Sequence, residues 1–480
     1  MRSPAPGGIA VVGAGAVGLT LAGRLAQHGA RVTLFEASPR RDRIGSRAIC
    51  MQRETLEIWT RLGVGEAIAE RGIQWRIGRT YHRGRLLFET RLPDEPGEHV
   101  PPFVNISQSE VEERLAARLG QLGIEMRHGH RLTGVDQDAA GVEATFETVD
   151  GSVTHRFTHL VGTDGAHSAV RHAAGIGFGG YTFDDRFLIA DVRAELPFTN
   201  QRHFHFDPPW NPGRQVLIHP QPDGVWRIDW QVSVETDPDA ERANGSLDRR
   251  IRQVIGSATP YELVWMTGYR FSQRLADRFR VGRVFLAGDA AHVMSPFGAR
   301  GMNSGVADAE NLAWRLAAVV GGEADELLDG YEAERRPAAV ENLAATEATM
   351  RFMAPHGPIE GAWRGLVLRL APRSRWFRAR VNSGRLAEPA RYAPAVPGPS
   401  EAQLPRHGSV APDVRLPDGS RLRDLLGRGW VQLVPAGGAA AFEGVDTVSI
   451  GAATPYGGDL AWLVRPDGYI ESSRPLKRAP

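Results

Sequence analysis

Three short runs of glycine and acid set the chemistry open to this chain. Gly13-Ala14-Gly15-Ala16-Val17-Gly18 follows the apolar stretch Ile9-Ala10-Val11-Val12 and opens a segment of helical periodicity. Asp164-Gly165 follows His159-Leu160-Val161-Gly162. Gly288-Asp289 follows Val284-Phe285-Leu286-Ala287, and the loop Pro296 to Gly305 comes next. In the first run Gly13 permits a tight turn, Gly15 lets backbone approach a diphosphate, and Gly18 lets helix and strand pack closely. Ala16 and Val17 start the helix, whose free N–H groups and positive dipole end attract an anion. Glu36 ends a second strand about 20 residues on, where a carboxylate binds ribose hydroxyls and disfavours a 2′-phosphate.

The motif alone does not separate FAD from NAD; the other two runs do. An acid at the carboxyl end of a parallel strand sits in the ligand crevice of such sheets. Asp289 there can accept from a ribityl hydroxyl. The glycines of the loop Pro296 to Gly305 let backbone lie flat against a planar ring. The helix beyond it would point its N-terminus at the pyrimidine edge of a flavin and stabilise the anionic reduced form.

The elements that must position these residues follow from periodicity and turn chemistry. A helix is predicted from about Val17 to His28, closed by Gly29. Arg31 to Phe35 reads as a strand. Ser107 and Glu110 form a capping-box pattern before a helix with Val111, Leu115 and Leu119 on one face. Residues 143–160 and 186–232 read as strands in hairpins, with a Pro/Gly break at Pro208 to Gly213. A helix is predicted from about Val306 to Val320, and 323–385 reads as mostly helical. Gly175-Ile176-Gly177-Phe178-Gly179 lacks a preceding strand and a following acid, so no second complete dinucleotide motif is expected.

With 480 residues the chain exceeds one hydrophobic core. Its net charge of +1 favours neither nucleic acid nor an anionic membrane as a bulk partner. Lys477 is the only lysine, which excludes a P-loop lysine or a lysine Schiff base elsewhere. Cys50 is the only cysteine, so no intrachain disulfide or CxxC redox pair exists. No apolar run reaches about 18 residues. A cytoplasmic location and no membrane are expected.

These motifs, in this order, resemble the class A flavoprotein monooxygenases of the para-hydroxybenzoate hydroxylase fold, over nearly the whole chain. Similarity in detail is greatest to the 3-(3-hydroxyphenyl)propionate and pentachlorophenol hydroxylase branches. The resemblance implies an α/β fold: a Rossmann-like, glutathione-reductase-type FAD domain, an inserted mixed β-sheet substrate domain and a small thioredoxin-like domain without CxxC. The expected boundaries are 1–75, 100–185 and 275–390 for the FAD domain, and 76–99 with 186–274 for the substrate domain. A linker at 391–405 and the last unit at 406–480 complete the chain. The resemblance adds Arg47, Gln108, Val135, Asp164, Pro296, Gly301, Met302 and Asn303 to the expected flavin contacts. It makes His292 a buried packing residue, not a nucleophile. Ala299-Arg300 departs from the Gly-Gln of many members.

The implied reaction is hydroxylation of a phenolic ring through a C4a-hydroperoxyflavin. NADPH or NADH is a transient co-substrate, molecular oxygen is consumed, and the chain works alone or as a homodimer. A group must hold or remove the phenolic proton. His203, His205, His219 and Tyr269 are the candidates, and Arg227 and Arg300 are also expected at the catalytic site. The strand Val225 to Gln231 offers Trp226, Ile228 and Trp230 on one face and Arg227, Asp229 and Gln231 on the other. Parity does not say which face lines the pocket. Arg300 pairs either with an acid that orders its loop or with a ligand. Baeyer–Villiger chemistry uses the same flavin peroxide and stays open, as does flavin binding without turnover. A halogenase is excluded by the missing lysine and by Trp226-Arg227-Ile228-Asp229-Trp230. The purified protein is expected to be yellow, with one FAD per chain that acid denaturation releases in full; flavin left in the protein pellet would contradict this.

Overall fold

The computed structural model describes residues 7–40, 48–92, 100–198, 200–355, 357–381, 388–394, 404–451 and 454–476. A six-stranded sheet forms around the first glycine run. Its order is Arg280–Val281, Val284–Leu286, His159–Gly162, Ile9–Val12, Val32–Glu36 and Glu125–His128, parallel apart from the first strand. Every residue of Ile9–Val12 is buried, as the apolar run demands. The sheet therefore aligns the carboxyl ends of strands 9–12, 159–162 and 284–286, each of which leads into one of the three glycine–acid runs. The helices Ala16–Gln27, Gln108–Gln121 and Gly301–Val320 pack around it.

A second sheet of eight strands carries the order His292–Val293, Glu262–Ala276, Phe178–Arg193, Val225–Val232, Gln215–Pro220, Gln201–Phe206, Ile77–His82 and Arg85–Arg91. Side chains alternate between its faces. The far face sends Leu188, Ala190, Ile218, Trp226, Ile228 and Trp230 against the helix Ser246–Ile255. The near face sends Phe187, Ile189, Phe204, Phe206, Leu217 and Phe271 against Phe297 and against Met350 and Met353 of the helix Asp329–Met353. Phe297 belongs to the loop after Gly288-Asp289, so the near face is the one turned to the nucleotide crevice. A strand pair, Cys50–Gln52 with Phe103–Asn105, lies between the two sheets: Asn105 donates to Pro220 O at 3.1 Å.

The C-terminal unit is a four-stranded sheet ordered Asp446–Ile450, Val431–Pro435, Leu460–Val464, Ile470–Pro475. It is fastened to the rest through buried charge. Arg24 donates to Glu310 and to Gly427 O, and Arg61 shares Glu310. Trp314 Nε1 donates to Asp467 at 3.1 Å. Among the described residues no helix is long and apolar enough to cross a membrane.

Three local expectations change. The capping box does not form: Ser107 holds the N-cap position, but Glu110 is drawn away to Arg71 and Arg114, and Ser107 Oγ pairs with Ser109 Oγ. The helix expected from Val306 begins at Gly301, because the glycines there form its first turns and do not belong to a loop. The expected linker starts inside the structure: Tyr392 is buried, stacks on Tyr469 at 4.4 Å and donates its amide to Gly408 O. Residues 395–403 of that linker lie outside the described residues.

One buried carboxylate joins the parts that frame the crevice. Asp308 accepts from Gly288 N at 3.0 Å, His292 Nε2 at 2.6 Å and Arg335 Nε at 2.7 Å. Burial alone would raise its pKa; His292 and Arg335 outweigh burial and hold it at about 2. Asp308→Asn leaves the guanidinium of Arg335 buried without its counter-charge, a loss of about 3–5 kcal/mol. A clearly lower urea midpoint at pH 7 is expected. The carboxylate's contribution is present above the ordinary range near 4 and fades as pH falls toward about 2, so wild type and variant should converge in acid. Equal midpoints at pH 7 would contradict this account.

Candidate active site

Two of the three glycines in the first run are demanded by packing. A Cβ at Gly13, which has φ +106°, would stand 2.6 Å from Thr163 O; one at Gly18 would stand 1.9 Å from Gly13 O. Gly15 differs. The nearest atom to its Cβ would be Glu112 Oε1 at 3.6 Å, so the protein itself leaves the space above it open. Gly15 is the N-cap of Ala16–Gln27, which carries no acid in its first turn. Glu36 is fixed beside this turn by Ala14 N and Ser38 N, both at 2.9 Å. Gln108 Nε2 donates to Glu112 Oε1 at 2.9 Å and Gln108 Oε1 accepts from Ala48 N at 3.2 Å. Glu112 also accepts from Ala16 N at 3.0 Å. No sequence signal pointed to this carboxylate. Val135 is half-buried in the three-stranded sheet of strands 131–138, 141–148 and 151–157, opposite Ala144. Arg47 lies outside the described residues.

The second glycine loop is shaped by side chains that do not belong to it. Gln52 Nε2 donates to Gly298 O and Ala299 O at 3.0 and 2.9 Å. Asn303 accepts from Gln52 N at 2.9 Å and donates to Cys50 O and Ala299 O. Ala299 sits at φ +52°, a left-handed conformation that glycine adopts without strain. Pro296 O accepts from Ala299 N, and Met302 packs against the main core. A Cβ at Gly301 would meet nothing within 4 Å, and the helix it starts has no capping side chain and no acid in its first turn. Gly288 and Gly305 both approach Val17, which brings the two helix starts to one crevice. The start at Gly301 is open, and the start at Gly15 keeps room above the glycine although Glu112 takes Ala16 N; together they suit a ligand with a diphosphate and an electron-accepting ring. Asp289 is half-buried in the turn after Gly288. Asp164 accepts from Ser168 Oγ and Val170 N, capping the short helix Ala169–Ala173; burial raises its pKa. His292 is fully buried on Asp308, in a packing position.

The near face of the second sheet supplies a polar wall. Cys50, Arg202, His219 and Asp229 each keep surface that a water molecule can reach. Burial is nevertheless the largest influence on the ionisation of all four. Arg202, His219 and Asp229 share the near face by register, and Cys50 lies on the strand pair beside it. Burial pushes the Cys50 thiol up to about 12 and His219 well below its usual range, so both are neutral near pH 7. Burial raises Asp229 to about 7 despite Arg227.

The sheet residues expected to act on the substrate divide between its two faces. Tyr269 and Arg227 stand on the near face. Arg227 is bound at both ends of its fork to Asp191, Nε to Oδ1 at 2.8 Å and Nη2 to Oδ2 at 2.7 Å. His203 and His205 point to the far face, in an aromatic stack: Tyr81 lies 5.7 and 4.5 Å from them, Phe198 4.3 Å from His203. Burial lowers both to about 4, with Arg79 acting on His203 and His203 on His205. They are neutral and separated from the crevice by the sheet. Arg300 donates to Asn342 Oδ1 of helix Asp329–Met353.

A family model described as an FAD binding domain matches residues 8–346. A flavin-dependent monooxygenase of Mycobacteroides abscessus is 32% identical, over 96% of each chain. A 3-(3-hydroxy-phenyl)propionate/3-hydroxycinnamic acid hydroxylase of Mycolicibacterium smegmatis is 30% identical, over 90% of this chain and 78% of that one. The solved structure of the anhydrotetracycline hydroxylase OxyS from Streptomyces rimosus superposes with a TM-score of 0.75 at 30% identity, over 97% and 95% of the two chains.

Asp229 gives this site a measurable cost. A carboxyl whose folded pKa lies near 7, above its unfolded value near 4, holds its proton more tightly in the fold. Stability is then lost as pH rises from about 4 through about 7. Asp229→Asn cannot ionise and should melt higher than wild type at pH 8, with the gap closing below about pH 4. A variant that melts lower at pH 8 would refute the assignment.

Proposed function

The chain belongs to the FAD-binding-domain family of flavin-dependent monooxygenases, and from that premise we propose that it hydroxylates a phenolic ring at the expense of NADH or NADPH and molecular oxygen. The observation that carries this reading is the pair of glycine-lined helix starts that meet at Val17, with the polar near face of the second sheet on the side of Phe297. That face holds a carboxyl raised to about 7 by burial, which suits proton exchange with a phenol.

In this reading Gly13, Gly15, Ala16, Val17 and Gly18 take the diphosphate and Glu36 the adenosine ribose. Arg47, Gln108, Val135 and Asp164 border the dinucleotide. Asp289 accepts from the ribityl chain, and Pro296, Gly301, Met302 and Asn303 frame the ring. Bound FAD, once reduced by the nicotinamide, supplies the activation of oxygen and its delivery to the ring. The chain's own residues bind and exclude. Gln52 and Asn303 fix the carbonyls of Gly298 and Ala299, and so the path of the loop. Phe297 packs edge-on to Phe187 and Phe271 at 5.5 and 5.7 Å, and these rings form an apolar patch that disfavours water beside the loop. Arg227, locked to Asp191, holds the central strands in register beneath the substrate.

The test is a screen of NADH and NADPH oxidation with 3-hydroxycinnamate, 3-(3-hydroxyphenyl)propionate and anhydrotetracycline, with product masses. At least one phenol should accelerate consumption and gain one oxygen. Stopped-flow should also find flavin reduction faster with that phenol than without it. Consumption indifferent to every phenol, with no oxygenated product, would sink the proposal.

A further inference from the structure

Two helices on the outside of the molecule, Pro358–Leu370 and Arg375–Val381, are apolar on the side that meets water. Their inner side sends Val367, Leu368, Ala371 and Val381 into the cluster that holds Phe88, Phe204 and Phe206. A helix so placed normally turns polar residues outward. Here Ile359, Trp363 and Leu366 stand four and three residues apart on one outer stripe, and are 84, 44 and 44% exposed. Trp376 of the second helix is 53% exposed. Phe377 links the two helices, with its ring 6.3 Å from that of Trp363 and 4.7 Å from that of Trp376. Of the chain's eleven tryptophans only these two are exposed. Charge accompanies the patch. Residues 358–380 hold six arginines and a single acid, Glu360, in a chain whose net charge is +1. Arg364 and Arg378 are spent inward, on Met353 O and on Ala371 O and Pro372 O. Arg380 lies over the Trp376 ring, 3.2 Å from its centroid. Arg369, Arg373 and Arg375 are exposed, and no acid among the described residues pairs with them.

We propose that this outer face docks on an anionic lipid bilayer, with the chain resting on the surface and not spanning it. A contiguous apolar patch bordered by charge marks an interaction face. Its charge decides the occupant. A two-fold contact with a second copy would bring two clusters of unpaired arginines onto one interface, where like charges repel. A bilayer surface meets both halves of the patch at once. Acyl chains take Ile359 and Leu366, the headgroup zone takes the two indoles, and anionic headgroups take Arg369, Arg373 and Arg375. The chain's net charge of +1 gave no sign of this, because the balancing acids lie elsewhere in the sequence. Docking of this kind needs no particular reaction at the flavin, so it holds or fails independently of the hydroxylase reading.

The experiment sediments the FAD-loaded full chain with vesicles of phosphatidylcholine alone and with vesicles of phosphatidylcholine and phosphatidylglycerol in equal parts. Salt is held at about 0.1 M, where charges are felt over about 10 Å. Wild type should pellet with the anionic vesicles and stay in solution with the neutral ones, and about 1 M salt should release most of it. The triple exchange Arg369→Gln, Arg373→Gln and Arg375→Gln should weaken binding about a hundredfold, at roughly fivefold per arginine. Arg31→Gln, Arg131→Gln and Arg415→Gln together remove the same charge from exposed positions elsewhere and should leave binding close to that of wild type. Trp363→Ala with Trp376→Ala should weaken it at least about tenfold. Brominated lipid should quench the fluorescence of wild type more than that of this double variant. FAD content and melting temperature show that each variant is folded. Failure to pellet with anionic vesicles overturns the proposal, as does an equal loss from the two arginine sets. A dimer that the tryptophan exchanges dissociate would give the face to a second copy of the chain instead. Retention on immobilised polyglutamate without vesicle binding would give it to an acidic protein.

Discussion

Asp308 is the constraint on which the crevice depends. Its two oxygens serve a backbone amide, an imidazole and a guanidinium, each from a different segment. Gly288 N sets the turn that carries Asp289. Arg335 brings the helix Asp329–Met353 against the helix Gly301–Val320, and passes the link on by donating to Tyr392 Oη. A neutral side chain could satisfy one of these donors but not the buried cation. Burial makes the arrangement all-or-none: in a low-dielectric interior an unmatched charge costs several kcal/mol, so the three segments are held together or not at all. The positions of Gly301 and of the loop before it follow from that.

Charge is handled differently on the two sides of the ligand space. On the nucleotide side, buried charges are matched: Arg24 and Arg61 with Glu310, Arg335 with Asp308, Arg465 with Asp467. The helix starts at Gly15 and Gly301 lack acids of their own; the positive end at Gly301 is left open, while Glu112 of another helix takes Ala16 N at the first. On the sheet side, Arg227 and Asp191 are matched while Arg202 Nε and Asp229 Oδ1 are not.

The glycine motifs were legible because each answers to a local rule. Gly13 and Gly18 have no room for a side chain, and Gly15 faces open space, so spacing alone carried the reading. The FAD expectation and the family follow from the same runs. What sequence could not supply was tertiary choice. Asp308 and Arg335 lie on different helices, with no periodic signal between them. Glu110 fits a capping box locally, yet two arginines take it. Ala299 holds a left-handed conformation that its residue type gave no reason to expect. Arg300 finds Asn342, which only the packing of two helices brings near.

The strand Val225–Val232 shows most clearly where sequence reasoning stops. Period-two alternation separates Trp226, Ile228 and Trp230 from Arg227 and Asp229, but in a half-exposed strand polarity would also name the solvent face. Here neither face is solvent: burial runs along both. The polar face is turned inward because the other sheet's loop and the strand Cys50–Gln52 cover it, and that cover comes from segments far away in sequence. The same parity decides the histidines. His203 and His205 alternate with Phe204 and Phe206, and it is the phenylalanines that face the crevice. Residue type favoured the imidazoles as proton carriers, whereas register turns the carboxyl of Asp229, and not His203 or His205, to the near face. A titratable group has to be read with the face of the sheet it stands on.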